Sequence, residues 1–148
     1  MQEQAIIRAN RLAWAGLLPF IGLTALAIFT LWQDLMVHAF LVYSAVILSF
    51  LGGIHWGLAM REGVTPVTAR LLLCMAPPLV GWFSVGFLPD MPALAVMGFS
   101  YLIWLKYDLN AVSDDWYEKL RKPITFVAAG THFIMFTVVA TAEAVLPA

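Results

Sequence analysis

The stretch LMVHAFLVYSAVILSFLGGIHWGLAM, residues 35–60, runs for 26 residues without an Asp, Glu, Lys or Arg. As a helix it would be about 39 Å long, more than the roughly 30 Å hydrocarbon core of a bilayer. Lipid offers no hydrogen bonds to the backbone, so an uncharged run of this length reads as a membrane-crossing helix. The same pattern recurs on both sides of it. Residues 12–32 form an earlier apolar run, closed by Gln33 and Asp34. A polar loop over 61–70, punctuated by Gly63 and Pro66, leads to a third run at 71–88. After Pro89-Asp90-Met91-Pro92 a fourth span covers 92–109, provided that Lys106 snorkels to the surface. A fifth follows Pro123, over 124–146. The expected fold is all-α: a polytopic five-helix transmembrane bundle forming a single membrane domain over 1–148.

Composition agrees. Of 148 residues 62% are hydrophobic and 11% charged, where a soluble domain carries about a quarter charged residues. The net charge of −1 supplies no basic surface for nucleic acid. One cysteine excludes a disulfide framework and any multi-cysteine metal cluster, so no metal site is expected. No internal repeat stands out.

Orientation follows from the cations. Arg8 and Arg11 precede the first span, Arg61 and Arg70 lie between the second and third, and Lys106, Lys119, Arg121 and Lys122 lie between the fourth and fifth. The opposite turns carry no Lys or Arg. The positive-inside rule then places the N-terminus in the cytoplasm and the C-terminus outside. Ala25-Leu26-Ala27 imitates a signal-peptide cleavage site, but the apolar run continues to Trp32, too long for such a segment. With no Arg- and Ser-rich presequence, a bacterial inner membrane is the expected location.

Within the second span Ala45, Ser49, Gly53 and Gly57 recur every four residues. Small residues at that spacing let another helix approach closely, so this row is the expected packing face, within the bundle or in a homo-oligomer. His55 lies six residues before Arg61, about 9 Å from the cytoplasmic end, and His132 nine residues past Pro123, about 13 Å deep. Ionisable groups inside a membrane are candidate functional sites. Two histidines at similar depth would permit haem ligation or hydrogen bonds to a quinone; the plainer reading is interhelical hydrogen bonding. No cofactor is expected outright. Pro77-Pro78 interrupt the third span and free carbonyl groups there. A ligand crevice would accordingly be lined by His55, Trp56, Pro77, Pro78 and His132.

Gly98-Phe99-Ser100 resembles the Gly-x-Ser of intramembrane serine proteases, and His132 would be its base, but five spans are one fewer than that fold needs. Near the end of the fourth span, Ser113 can cap a short helix over 114–122. Asp114, Asp115 and Glu118 fall early in it and Lys119, Arg121 and Lys122 late, complementing the helix dipole on the cytoplasmic surface.

Taken in order, Tyr43, Gly52-Gly53, Trp56-Gly57, Ala76-Pro77-Pro78, Trp82-Phe83, Trp116-Tyr117 and Leu120-Arg121 form a recognisable pattern. It resembles an uncharacterised five-span membrane family of unknown function (domain-of-unknown-function family 3429), to which animal transmembrane protein 69 belongs. The resemblance implies five spans and brings no activity, substrate or cofactor. It also implies Arg in place of His55 in some relatives, which suits a hydrogen-bond donor better than a metal ligand.

The expected function is that of an accessory, assembly or oligomerising membrane component without an evident catalytic site. Its partners would be the lipid bilayer and a homo-oligomer or larger membrane complex. The alternative is binding or transport of a small hydrophobic ligand (a lipid, a quinone or a tetrapyrrole), and a remote one is an intramembrane serine hydrolase.

Overall fold

The computed structural model describes residues 2–29, 32–62 and 67–145. The loop tip at 63–66, with Gly63 and Pro66, and the end of the fifth span at 146 lie outside the described residues. Seven helices follow in order: α1 (Gln2–Ala15), α2 (Leu18–Phe29), α3 (Gln33–Glu62), α4 (Val67–Cys74), α5 (Ala76–Phe87), α6 (Asp90–Ala111) and α7 (Asp115–Val145). Among the described residues there is no strand.

The helices combine into rods of spanning length. The segments Glu3–Phe29, Gln33–Arg61, Thr68–Phe87 and Asp115–Val145 have the length and hydropathy of membrane spans. Between the third and fourth of these runs α6, whose 22 residues reach about 33 Å. The chain is a polytopic helical membrane protein. Large apolar side chains cover its outside: Phe29, Leu72, Ile103 and Phe133 are each at least 69% exposed. On a soluble protein so much exposed apolar surface would drive aggregation; facing lipid, it is the expected outer surface.

Two rods are broken, each beside proline. The first begins at Gln2, ahead of the apolar run, and is interrupted at Gly16-Leu17. There Leu17 N–H turns back to the Trp14 carbonyl at 3.0 Å, a tighter bond than the helical one. Pro19 sits in the first turn of α2, where its missing amide hydrogen costs least. The Gly16 carbonyl accepts the Tyr43 hydroxyl at 2.8 Å, which ties the break to α3. The third rod breaks at Met75, and Pro77-Pro78 occupy the first turn of α5. Without amide hydrogens they cannot bond to the carbonyls of Leu73 and Cys74.

Helices α3 and α6 supply the centre. Phe40, Ser44 and Leu48 of α3 are fully buried, and Leu94, Met97 and Tyr101 of α6 are at most 2% exposed. The rings of Phe20, Phe40, Tyr101 and His132 gather there, with the Phe40 and His132 centroids 4.7 Å apart.

Within the chain, the packing face of α3 differs from the expected row. A Cβ on Gly53 or Gly57 would meet nothing within 4 Å, whereas one on Gly52 would stand 2.5 Å from the Cys74 carbonyl oxygen. Ala45 does pack, against Gly81 of α5, where an added Cβ would lie 3.1 Å from it. Residues four apart on an α-helix precess by about 40° per step. A row that begins at the contact with α5 has therefore turned outward by Gly53.

The segment 114–122 also departs from expectation. It is not a separate interfacial helix but the first turns of α7, which continues through Pro123. The proline removes one hydrogen bond, to Lys119, at a turn whose Lys119 and Lys122 side chains are exposed.

Candidate functional site

Three helices meet at the end of the bundle that carries the cations. His55 comes from α3, Asp108 from α6, and Tyr117 and Arg121 from the start of α7. The 108 carboxylate is 1% exposed and accepts three hydrogen bonds. His55 Nε2 and the Tyr117 hydroxyl both donate to Oδ1, the latter at 2.9 Å, and Arg121 Nε donates to Oδ2 at 2.5 Å. The aromatic side chains of Trp104 and Tyr107 close around His55, with ring centroids at 5.5 and 4.9 Å. A buried carboxylate in a membrane is tolerable only when paired and hydrogen-bonded, and both conditions hold.

Local sequence accounts for the convergence. Asp108 falls on the buried row of α6 with Tyr101, Trp104 and Leu105, while Lys106 points outward. Tyr117 and Arg121 are four apart, so they share one face of α7. Sequence reading placed Tyr117 only in the family pattern and gave Asp108 no part in a site. The available signal was the spacing 101-104-108 on the fourth span, which puts the carboxylate on the same face as the apolar row.

Beside this cluster a crevice of about 430 Å³ runs between α1, α2, α3 and α7. Its walls are apolar, from Leu12, Ala13, Phe20, Ile47, Ile54 and Leu120 among others, with Arg121 and Thr125 on the α7 side. Arg121 Nη2 and Thr125 Oγ1 are both buried without a hydrogen-bond partner. Smaller or shallower crevices lie elsewhere on the bundle. One of about 220 Å³ lies between α6 and α7 and touches His132; another, of about 430 Å³, lies between α3 and α5 and touches Pro78.

The expected crevice residues are therefore not brought together. His55 bonds to Asp108, Trp56 is 44% exposed on the outer surface, and Pro77 is buried at the break before α5. His132 has both ring nitrogens engaged: Nδ1 donates to the Ala128 carbonyl at 2.7 Å and Nε2 accepts from Ser44 Oγ at 2.6 Å. Neither nitrogen is left for an axial bond, and the two histidines sit in separate networks. Among the described residues no three His, Cys, Asp or Glu side chains converge on one point. The proposed pairing of Ser100 with His132 is likewise overturned, because Ser100 Oγ donates to the Val96 carbonyl of its own helix at 2.7 Å. Ser44, the serine that does meet His132, is fully buried and lines none of the three crevices. The Ser44–His132 bond joins α3 to α7 between buried side chains, as interhelical hydrogen bonds in membrane bundles do.

The family described as "Protein of unknown function (DUF3429)" matches residues 6–137. Transmembrane protein 69 of Xenopus tropicalis is 34% identical over 125 residues, 79% of this chain and 49% of that protein. Transmembrane protein 69 of Mus musculus is 29% identical over 139 residues, 90% of this chain and 55% of that protein. The chain spans about half the length of the curated relatives it matches. No solved structure matches it.

Proposed function

This chain belongs to the DUF3429 family of unknown function, and on that footing we propose that it is a multi-pass membrane protein that acts by binding, seating a small hydrophobic ligand in the crevice between α1, α3 and α7. The observation that carries this reading is the crevice itself. Its volume of about 430 Å³ falls in the range of small-molecule sites, and its walls are largely apolar with Tyr117, Arg121 and Thr125 on the α7 side. Leu12 and Phe50 line it and are 73% and 64% exposed, so it opens onto the surface that faces lipid. A ligand can thus enter sideways from the bilayer. Gathering all eight cations at one end supports a cytoplasmic placement of that end, as for a bacterial inner membrane protein.

The experiment is native mass spectrometry of the full chain released from detergent micelles, with Ala13→Phe as the filled-crevice variant. The expected result is a retained small molecule on the wild type that is lost from Ala13→Phe. Equal retention by both proteins, or none by either, overturns the reading.

A second reading, an accessory or oligomerising component, is favoured by Gly53 and Gly57. They stand exposed on α3 beside Trp56 and Met60, with room for another helix backbone. Gly57→Leu should then leave the monomer folded and abolish a crosslinked dimer or larger complex. A crosslinking pattern unchanged by that substitution removes this reading.

A further inference from the structure

The two unpartnered polar atoms in the crevice wall specify what it holds. Arg121 spends its Nε hydrogen on Asp108, while Nη2 is buried with no acceptor, and the side chain as a whole is 10% exposed. Thr125, four residues later on the same face of α7, is 1% exposed, and its hydroxyl also lacks a partner. Both residues line the same crevice. Buried polar groups are nearly always hydrogen-bonded, and leaving one unpaired is costly. Two such groups one helical turn apart, each with hydrogen to give, ask for one acceptor group with several oxygens.

Resting on the binding function proposed above, we infer that the occupant is an anionic phospholipid. One of its acyl chains lies in the crevice, and its phosphate oxygens accept from Arg121 Nη2 and Thr125 Oγ1. Charge complementarity favours an anion. Arg8 and Arg11 flank the crevice residue Ala9 on exposed positions of α1, and Lys119 is exposed one turn from Trp116 at the rim of α7. An arginine N–H suits a phosphate oxygen in particular, since a charge-assisted hydrogen bond is about twice as strong as a neutral one. Position fits as well. The two polar atoms belong to the cation-rich end, where headgroups sit, and the apolar walls continue from there toward Phe20 in the core. The side opening at Leu12 and Phe50 lets the second acyl chain remain in the bilayer.

Delipidated full-length protein in detergent is offered three probes and the adducts are weighed by native mass spectrometry. Phosphatidylglycerol carries both head and tail, diacylglycerol with the same chains carries the tail alone, and glycerol phosphate carries the head alone. The expected result is retention of phosphatidylglycerol about tenfold above diacylglycerol, the scale of a charge-assisted hydrogen bond, with glycerol phosphate unretained. Thr125→Val, which disturbs no existing hydrogen bond, should fold normally and lower that retention severalfold. Arg121→Lys should lower it while keeping a cation on Asp108.

Equal retention of diacylglycerol and phosphatidylglycerol overturns the phosphate assignment and leaves the crevice reading standing. Glycerol phosphate retained as well as the lipid makes the ligand a soluble anion and overturns the lipid assignment. Undiminished phosphatidylglycerol retention in Thr125→Val, with a raised melting temperature, means that internal water serves the two atoms and overturns the inference. Failure of all three probes, with Ala13→Phe matching the wild type, brings down both proposals together.

Discussion

His55 of α3 and Asp108 of α6, 53 residues apart in sequence, share a hydrogen bond in which neither side chain is more than 3% exposed. With Tyr117 and Arg121 on the same carboxylate, this bond joins α3, α6 and α7 at one end of the bundle.

Removing the carboxylate strands the Arg121 cation. Asp108→Leu should destabilise the protein by about 3–5 kcal/mol, the usual cost of breaking a buried ion pair from one side. His55→Ala should cost less, because Arg121 and Tyr117 still serve Asp108, and His55→Arg should recover much of that loss by restoring a donor. Reversible unfolding in mixed micelles measures all three. An Asp108→Leu protein as stable as wild type would show that the cluster adds nothing to the fold.

The two neighbouring glycines of α3 should respond oppositely to a single methyl group. At Gly52 a Cβ meets the Cys74 carbonyl at 2.5 Å, a backbone atom that cannot swing aside. Gly52→Ala should therefore cost about 1–3 kcal/mol through overpacking. Gly53→Ala meets open space and should be neutral or stabilising by about 0.5–1 kcal/mol, since alanine is the better helix former. The same unfolding assay decides it, and a reversed order would put the packing face back on the row through Gly53.

Ser44 and His132 give a double-mutant cycle. Ser44→Ala leaves the Nε2 of His132 without its partner in a fully buried place and should cost about 1–3 kcal/mol. His132→Phe on its own leaves the serine hydroxyl with only its longer 3.4 Å bond to the Tyr101 hydroxyl. The double variant should be closer to wild type than the sum of the singles, because an apolar pair replaces a bonded pair within the Phe20, Phe40 and Tyr101 cluster. Strict additivity would mean that the bond carries no coupling.

Topology is open to chemical labelling. In a Cys74→Ser background, a cysteine at Asp90 should react with an impermeant maleimide on intact cells, and one at Lys119 only after the cells are opened. Labelling of position 119 in intact cells would invert the assignment of the cytoplasmic side.

Much of the fold was legible because lipid imposes one strong rule on sequence: uncharged runs of helix length. Pro77-Pro78 marked the break at Met75, whereas the break at Gly16-Leu17, beside Pro19, lay inside an apolar run read as one continuous span. The row packs within the chain only at its start, because a four-residue spacing follows a neighbouring helix briefly and then rotates away, which leaves Gly53 and Gly57 on the outer surface. The site was the least legible part. His55 and Arg121 attracted notice for other reasons, but Asp108 sits beside Lys106 and reads as one more solvated charge of a span end. Only the tertiary approach of α3 and α7 to the inner face of α6 gives that carboxylate its partners. The orphaned atoms of Arg121 and Thr125 have no sequence signature, since being unpaired is a property of the surroundings.

The break at Gly16-Leu17 gives α1 a standing unlike that of the other helices. It forms a wall of the crevice, makes only a light contact with α7, and is joined to α2 through a turn held by the Tyr43 bond. A guest of the kind proposed would supply the surface on which those 14 residues rest. Occupancy and the docking of the leading segment would then be one equilibrium, and amide exchange along residues 2–15 should register the guest without any label on it.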